Sequence, residues 1–169
     1  MFSKPKTRTT AAFNNFMGKL VVIVPHAVTK SQFPRTNKDG SSYYPDQTVA
    51  HVVPVEDAVG TNNQGKSFSH PAGQPVLSYI SVKARNQLGE FGEPILGRVV
   101  KGQARNGAGA PTVLGEPTDE DVALAERVLK DFDPSALDAP TIRQDSPETQ
   151  AATEDVTPER SESKAPWQR

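Results

Sequence analysis

Pro75-Val-Leu-Ser-Tyr-Ile80, Ser81-Val-Lys-Ala-Arg-Asn-Gln-Leu88, Pro94-Ile-Leu-Gly-Arg-Val-Val-Lys101, Gly102-Gln-Ala-Arg-Asn-Gly107 and Pro111-Thr-Val-Leu114 together decide how this chain folds. The first run is apolar and β-rich, and the second suits one or two helical turns. The third reads as a strand, and a glycine turn then leads to a short last strand. Two more apolar runs lie upstream. Lys19-Leu-Val-Val-Ile-Val24 is unbroken, which predicts burial on both faces, and Gly18 before it frees the backbone to bend. The loose alternation of His26-Ala-Val-Thr-Lys30 predicts that this strand continues past a bulge at Pro25. Gln47-Thr-Val-Ala-His-Val-Val-Pro-Val-Glu56 is rich in β-branched residues and reads as the second strand, with Pro54 marking an edge, a bulge or its end. The order is therefore β-β-β-α-β-β. It is the order of a five-stranded OB-like barrel, an all-β fold with minor α whose short helix lies between strands 3 and 4.

On the C-terminal side, Pro117-Thr-Asp-Glu-Asp121 starts a helix, with Thr118 as N-cap and three acids at the positive helix end. Val122, Ala125, Leu129 and Phe132 follow at helical spacing and predict an apolar stripe docked on the barrel. From Asp133 to Arg169 the chain is rich in Pro and acids and poor in large apolar groups, the composition of a disordered tail. On the N-terminal side, residues 1–17 read as a basic arm with Lys4, Lys6 and Arg8, in which Phe13, Phe16 and Met17 form a turn packed under the barrel. The expected organisation is thus an arm over 1–17, a barrel with its C-terminal helix over 18–132, and an acidic tail over 133–169.

Charge divides the same way. Residues 1–110 carry 13 Lys/Arg against 6 Asp/Glu, a balance of +7, whereas residues 111–169 carry 6 against 14, a balance of −8. A basic body that attracts polyanions, joined to an acidic arm, accounts for this split; so does an ordinary solvated surface beside a tail. The chain has no cysteine, which excludes disulfides, thiolate catalysis and Cys-based zinc sites. No apolar run approaches the roughly 18–20 residues that cross a bilayer. The basic N-terminus lacks an h-region, so a soluble, cytoplasmic protein is expected. His26, His51 and His70 have no metal-ligand spacing, and no phosphate loop or nucleophile elbow is present. Neither a metal, a cofactor nor a catalytic constellation is predicted. A binding protein is.

The candidate site lies on loops. Ser31 to Asp46 joins the first two strands, where an OB barrel carries ligand-binding groups. It holds Phe33, Arg35, Lys38, Tyr43 and Tyr44, with Lys30 just before it. Aromatics interleaved with cations suit stacking of bases and pairing of phosphates, while the tyrosines equally suit a lid on the barrel mouth. Lys66 and Phe68 come from the polar loop between Asp57 and Gln74, which also holds His70; Arg98, Lys101 and Arg105 come from the fourth strand and the turn after it. Trp167, the only Trp, stands in the tail as a candidate anchor for a partner pocket.

Gly18-Lys-Leu-Val-Val-Ile-Val-Pro-His26, Pro94-Ile-Leu-Gly-Arg-Val-Val-Lys-Gly-Gln-Ala-Arg105, Ala110-Pro-Thr-Val-Leu114 and Glu116-Pro-Thr-Asp-Glu-Asp121 resemble a family of small proteins encoded by actinobacteriophages. The resemblance covers roughly residues 18–130 and its motifs are structural. It implies an OB-like fold and binding of single-stranded DNA. Members carry a Trp near the final strand where Thr112-Val113 stands here. The expected function is non-catalytic, sequence-independent single-stranded DNA binding in phage replication or recombination. The expected partners are that DNA and, through the tail, replication or recombination proteins, with a homo-oligomer left open. The alternative is a phage structural or protein-interaction module with the same barrel and no nucleic acid.

Overall fold

A computed structural model describes residues 10–105, 107 and 109–140. The chain is mostly β, with six strands in one curled sheet. In chain order, β1 is Thr10–Ala12, β2 Leu20–Lys30, β3 Arg35–Thr36, β4 Ser42–Tyr43 and β5 Asp46–Pro54. They are followed by β6 Ala58–Thr61, β7 Ser67–His70, β8 Val76–Ser81, β9 Ile95–Lys101 and β10 Thr112–Gly115. Helix α1 is a single turn, Val82–Arg85, and α2 is Asp119–Val128. The main sheet runs β1-β8-β5-β2-β9-β10, and β3–β4 and β6–β7 form two separate ribbons. All neighbours in the main sheet are antiparallel except β1 and β8.

The long apolar run behaves as its composition dictates. Along β2, Val21 and Ile23 enter one core while Leu20, Val22 and Val24 enter a second on the opposite face. The register shifts between Pro25 and Ala27, so β2 does continue past a bulge at its proline. Inside the curl, Phe13, Phe16, Ala50, Val52, Val76, Ile80, Val99 and Leu114 pack together. Outside it, α2 and the segment after it cover β2: Ala125 is buried there, with Leu124, Leu129, Phe132 and Leu137 against it. The expected stripe is displaced, because Val122 stays exposed and Leu124 takes its place. Thr118 and Asp121 close the capping box at the start of α2.

Four expectations are corrected. The sheet has six strands rather than five, because Thr10–Ala12 pairs in parallel with Leu77–Tyr79 and the Ser78 hydroxyl donates to the Ala11 carbonyl at 2.9 Å. From Thr10 onward the residues expected in an arm are therefore part of the fold, with Phe13 and Phe16 buried beneath the sheet. Among the described residues the sheet ends at β1 and β10, and no ladder joins β10 to either β1 or β8, so hydrogen bonds do not close it into a barrel. Instead Gln87, just after α1, donates through Nε2 to the Leu114 carbonyl at 2.7 Å and accepts from the Leu114 N–H at 2.8 Å. One carboxamide thus does for β10 what a neighbouring peptide group does elsewhere. Lastly, the fold runs past Asp133: Pro134–Ala136 form a 3-10 turn, and Leu137 packs on the outer core. The acidic tail beyond Pro140, Trp167 included, lies outside the described residues.

Candidate nucleic-acid interface

Helix α2 leaves part of the outer face uncovered, and the candidate site lies there. It covers the β2–β9 side of the sheet. On the β5–β8 side, Gln47, Val49 and His51 of β5 stand opposite Ser81, Tyr79 and Leu77 of β8. Val49 and Leu77 are buried, but Tyr79 is 46% exposed and lies on the surface as an open ring.

Above this surface stands the loop from Ser31 to Pro45. The β3–β4 ribbon shapes it, pairing Arg35 with Tyr43 and Thr36 with Ser42. The turn between them is built by Asn37-Lys-Asp-Gly40: Asp39 accepts from the Ser41 N–H at 2.9 Å, and Gly40 takes φ = +87°, a conformation costly for any residue with a Cβ. Hydrogen bonds from Ser41 hold the Asp39 carboxyl below its ordinary pKa. The result is a trough of about 880 Å³. Phe33, Tyr43 and Tyr79 supply its exposed rings and Lys30, Arg35 and Lys83 its cations, with Tyr44, Gln47 and Pro111 also lining it. Phe33 is 79% exposed, an unusual state for a phenyl ring. Asp46, the acid in the lining, is paired with Lys30 at 2.8 Å.

Of the residues singled out from sequence, the trough brings together Lys30, Phe33, Arg35, Tyr43 and Tyr44. Lys38 sits outside it, exposed on the turn of the ribbon. Tyr79 and Lys83 complete the trough, and the sequence pattern does not single them out. Tyr79 is at an outward position between the buried Ser78 and Ile80, so its exposure follows from strand alternation once the register is known.

The other candidates fall elsewhere. Arg98 is committed to the fold: its guanidinium bonds to the Gly18 carbonyl at 2.9 Å and to Glu56 at 3.1 Å, and it pairs with Asp121 of α2. It fastens α2 to the sheet. The Arg98 side chain holds the Asp121 carboxyl below the usual carboxylate range, and Asp121 in turn raises the guanidinium pKa. Phe68 belongs to the β6–β7 ribbon and stacks on His70, their ring centroids 5.7 Å apart. His70 in turn lies against Phe16 at 5.1 Å, so these rings clamp the ribbon onto the fold. Lys66 is exposed just before β7. Lys101 ends β9 opposite Thr112 and does not line the trough. Arg105 lines a second cavity next to the first.

On β2 and β5, His26 Nε2 and His51 Nδ1 lie 2.6 Å apart with their rings edge to face. Burial holds His26 below the ordinary histidine pKa. Among the described residues no group of three His, Cys, Asp or Glu could hold a metal ion, and no helix is long and apolar enough to cross a membrane. Comparison with protein-family models, with curated proteins and with solved structures finds no match.

Proposed function

We propose that this chain is a non-catalytic protein that binds single-stranded DNA, tolerating most sequences, and that it acts in phage DNA replication or recombination in the host cytoplasm. The observation that carries this reading is the trough itself, in which three exposed rings share one concave surface with Arg35 and Lys83, beside the Lys30–Asp46 pair. Each base of a single strand offers a π-face to stack on a ring, and each phosphate a charge to pair with a cation. The strand order supports it as well. The sequence β8-β5-β2-β9-β10 within the sheet is the 3-2-1-4-5 order of an OB fold. OB folds bind oligomers on the face of strands 2 and 3, between the loop joining strands 1 and 2 and that joining strands 4 and 5. Here those parts correspond to β5 and β8, the loop carrying Phe33 to Tyr44, and the loop carrying Pro111. We read the fold as an OB-like barrel left open at one seam, and the acidic tail as the arm for replication or recombination partners.

Anisotropy of a labelled oligo-dT, titrated with the protein at low and at physiological salt, tests the proposal. Tight binding that weakens steeply with salt is expected, because neutralised phosphates release counterions. The competing reading is a phage structural or protein-interaction module in which Phe33 is the anchor for a protein partner, since an exposed ring also suits a pocket. Absence of binding at low salt leaves that reading in its place.

A further inference from the structure

We infer that a cavity between α1, β2 and β5 receives Trp167 of the chain's own tail. This does not rest on the single-strand reading. The cavity, about 770 Å³, has the fully buried Pro25 and Thr48 as its floor and residues 88–91 along one side. Two of its features are unexplained by the fold. Val82 and Phe91 are large apolar side chains left 42% and 58% exposed at the rim of one concave surface. The Thr48 hydroxyl is buried and has no hydrogen-bond partner among the described residues, whereas buried hydroxyls normally have one. An apolar cleft with one polar group at depth suits a ring that carries a hydrogen-bond donor. Indole is such a ring, with a large apolar body and one N–H that seeks an acceptor when buried.

Charge selects the occupant. Glu90 lines the cavity, and Glu93 lies beside it, accepting from the Glu90 N–H at 3.2 Å. These are two of the 6 acids in residues 1–110, and they flank Phe91. Such a rim repels phosphates and attracts an aromatic group set between cations. Residues 164–169 are that segment: Trp167 stands between Lys164 and Arg169, with no acid among the six. Arg85, the cation in the lining, suits the face of an indole. Reach is no obstacle. Trp167 lies 27 residues beyond Pro140, a span of up to about 90 Å when extended, against a radius of gyration of about 14 Å for a domain of this size. The tether also keeps the ring at high local concentration beside the cavity, so a modest pocket suffices to hold it.

The test is intrinsic fluorescence of the full chain, because Trp167 is its only Trp and no oligonucleotide is needed. A free peptide of residues 159–169 supplies the solvated reference. The expected result is that the full chain emits to the blue of the peptide and is quenched less steeply by acrylamide. An E90K/F91A variant is expected to return both readings to those of the peptide. Both positions are exposed, so that variant keeps its fold, as far-UV circular dichroism will verify. Thr48→Val removes the acceptor while keeping the shape, and is expected to move both readings part of the way. Emission and quenching of the unaltered chain that match the free peptide overturn the inference. So does a protected ring that neither variant releases. Protection that fades on dilution overturns it as well, since the ring then occupies the cavity of a second copy. None of these outcomes bears on binding of single-stranded DNA in the trough, which the oligo-dT titration decides separately.

Discussion

Replacing Tyr79 by Ala removes the floor of the trough and leaves its walls in place. Tyr79 is 46% exposed and faces Val49 across the β5–β8 ladder. Roughly half of its ring is therefore packed, about 70 Å² of apolar surface, and its removal costs about 2 kcal/mol at about 25 cal/mol per Å². A domain of this size carries about 5–15 kcal/mol of stability, so the variant stays folded with a lowered melting temperature. Binding loses one stack, about 1–3 kcal/mol, which is roughly 5- to 150-fold in affinity for oligo-dT. The assay is fluorescence anisotropy at one fixed salt concentration, with thermal melting of the same samples. Tyr79→Phe retains the ring and is expected to bind within about twofold of the unaltered protein, since it keeps the stack. A folded Tyr79→Ala protein that binds like its parent would refute the reasoning. A Tyr79→Phe protein as weak as the alanine variant would assign the interaction to the hydroxyl rather than the ring.

Arg35→Ala and Lys83→Ala are each expected to flatten the dependence of log affinity on log salt by about 0.7 for every phosphate left unneutralised, read from titrations across several salt concentrations. Phe68→Ala is expected to loosen the β6–β7 ribbon, lowering the melting temperature because its stack on His70 is gone, while oligo-dT affinity stays within about twofold because the ribbon is not part of the trough. Gln87→Ala leaves the Leu114 N–H and carbonyl without their partner and is expected to cost about 2 kcal/mol in chemical denaturation, about 1 for each bond. Stability is expected to fall in two stages as pH is lowered. His26 and His70 have folded pKa values below the ordinary 6.5, so the folded state binds fewer protons and stability drops as pH falls from near 6.5 toward the folded values. Asp121 has a folded pKa below the ordinary 3.8, so the Arg98 pair contributes in full above that value and is lost as pH falls through the folded one. Asp121→Asn is expected to blunt the second stage and leave the first, in melts recorded between neutral pH and strong acid.

The strong signals in the chain are legible because one force dominates each of them. Six apolar residues from Leu20 to Pro25 have no polar neighbour to turn outward, so burial on both sides of β2 follows directly. The N-cap at Thr118 is local chemistry and reads well from sequence, while the reciprocal bond from Asp121 that completes a capping box is seen only in the structure. What stays hidden depends on partners distant in the chain. Thr10–Ala12 has no strand signature of its own and is a strand only because β8 offers it an edge. The β6–β7 ribbon reads as a loop because Gly60, Asn62 and Gly65 are turn formers. Gly60 is there for a packing reason, since a Cβ at that position would lie 2.9 Å from the Phe68 ring. The site is half legible. The loop carrying Phe33, Arg35 and Tyr43 announces itself by composition, whereas Tyr79 and Lys83 need the register that brings β8 beneath it. In the sequence Arg98 looks like any other cation in a basic body. Only the positions of Glu56 and Asp121 show that it is an internal fastening.

The outer core also fixes where the chain can be cut. Leu20, Val22, Val24, Val53 and Val55 form a greasy wall that α2 and Leu137 shield from water. Removing everything after the last strand would leave that wall bare, and such fragments would stick to one another. A shortened version made for titration or crystallisation must therefore keep the residues through Leu137 and be trimmed only beyond them.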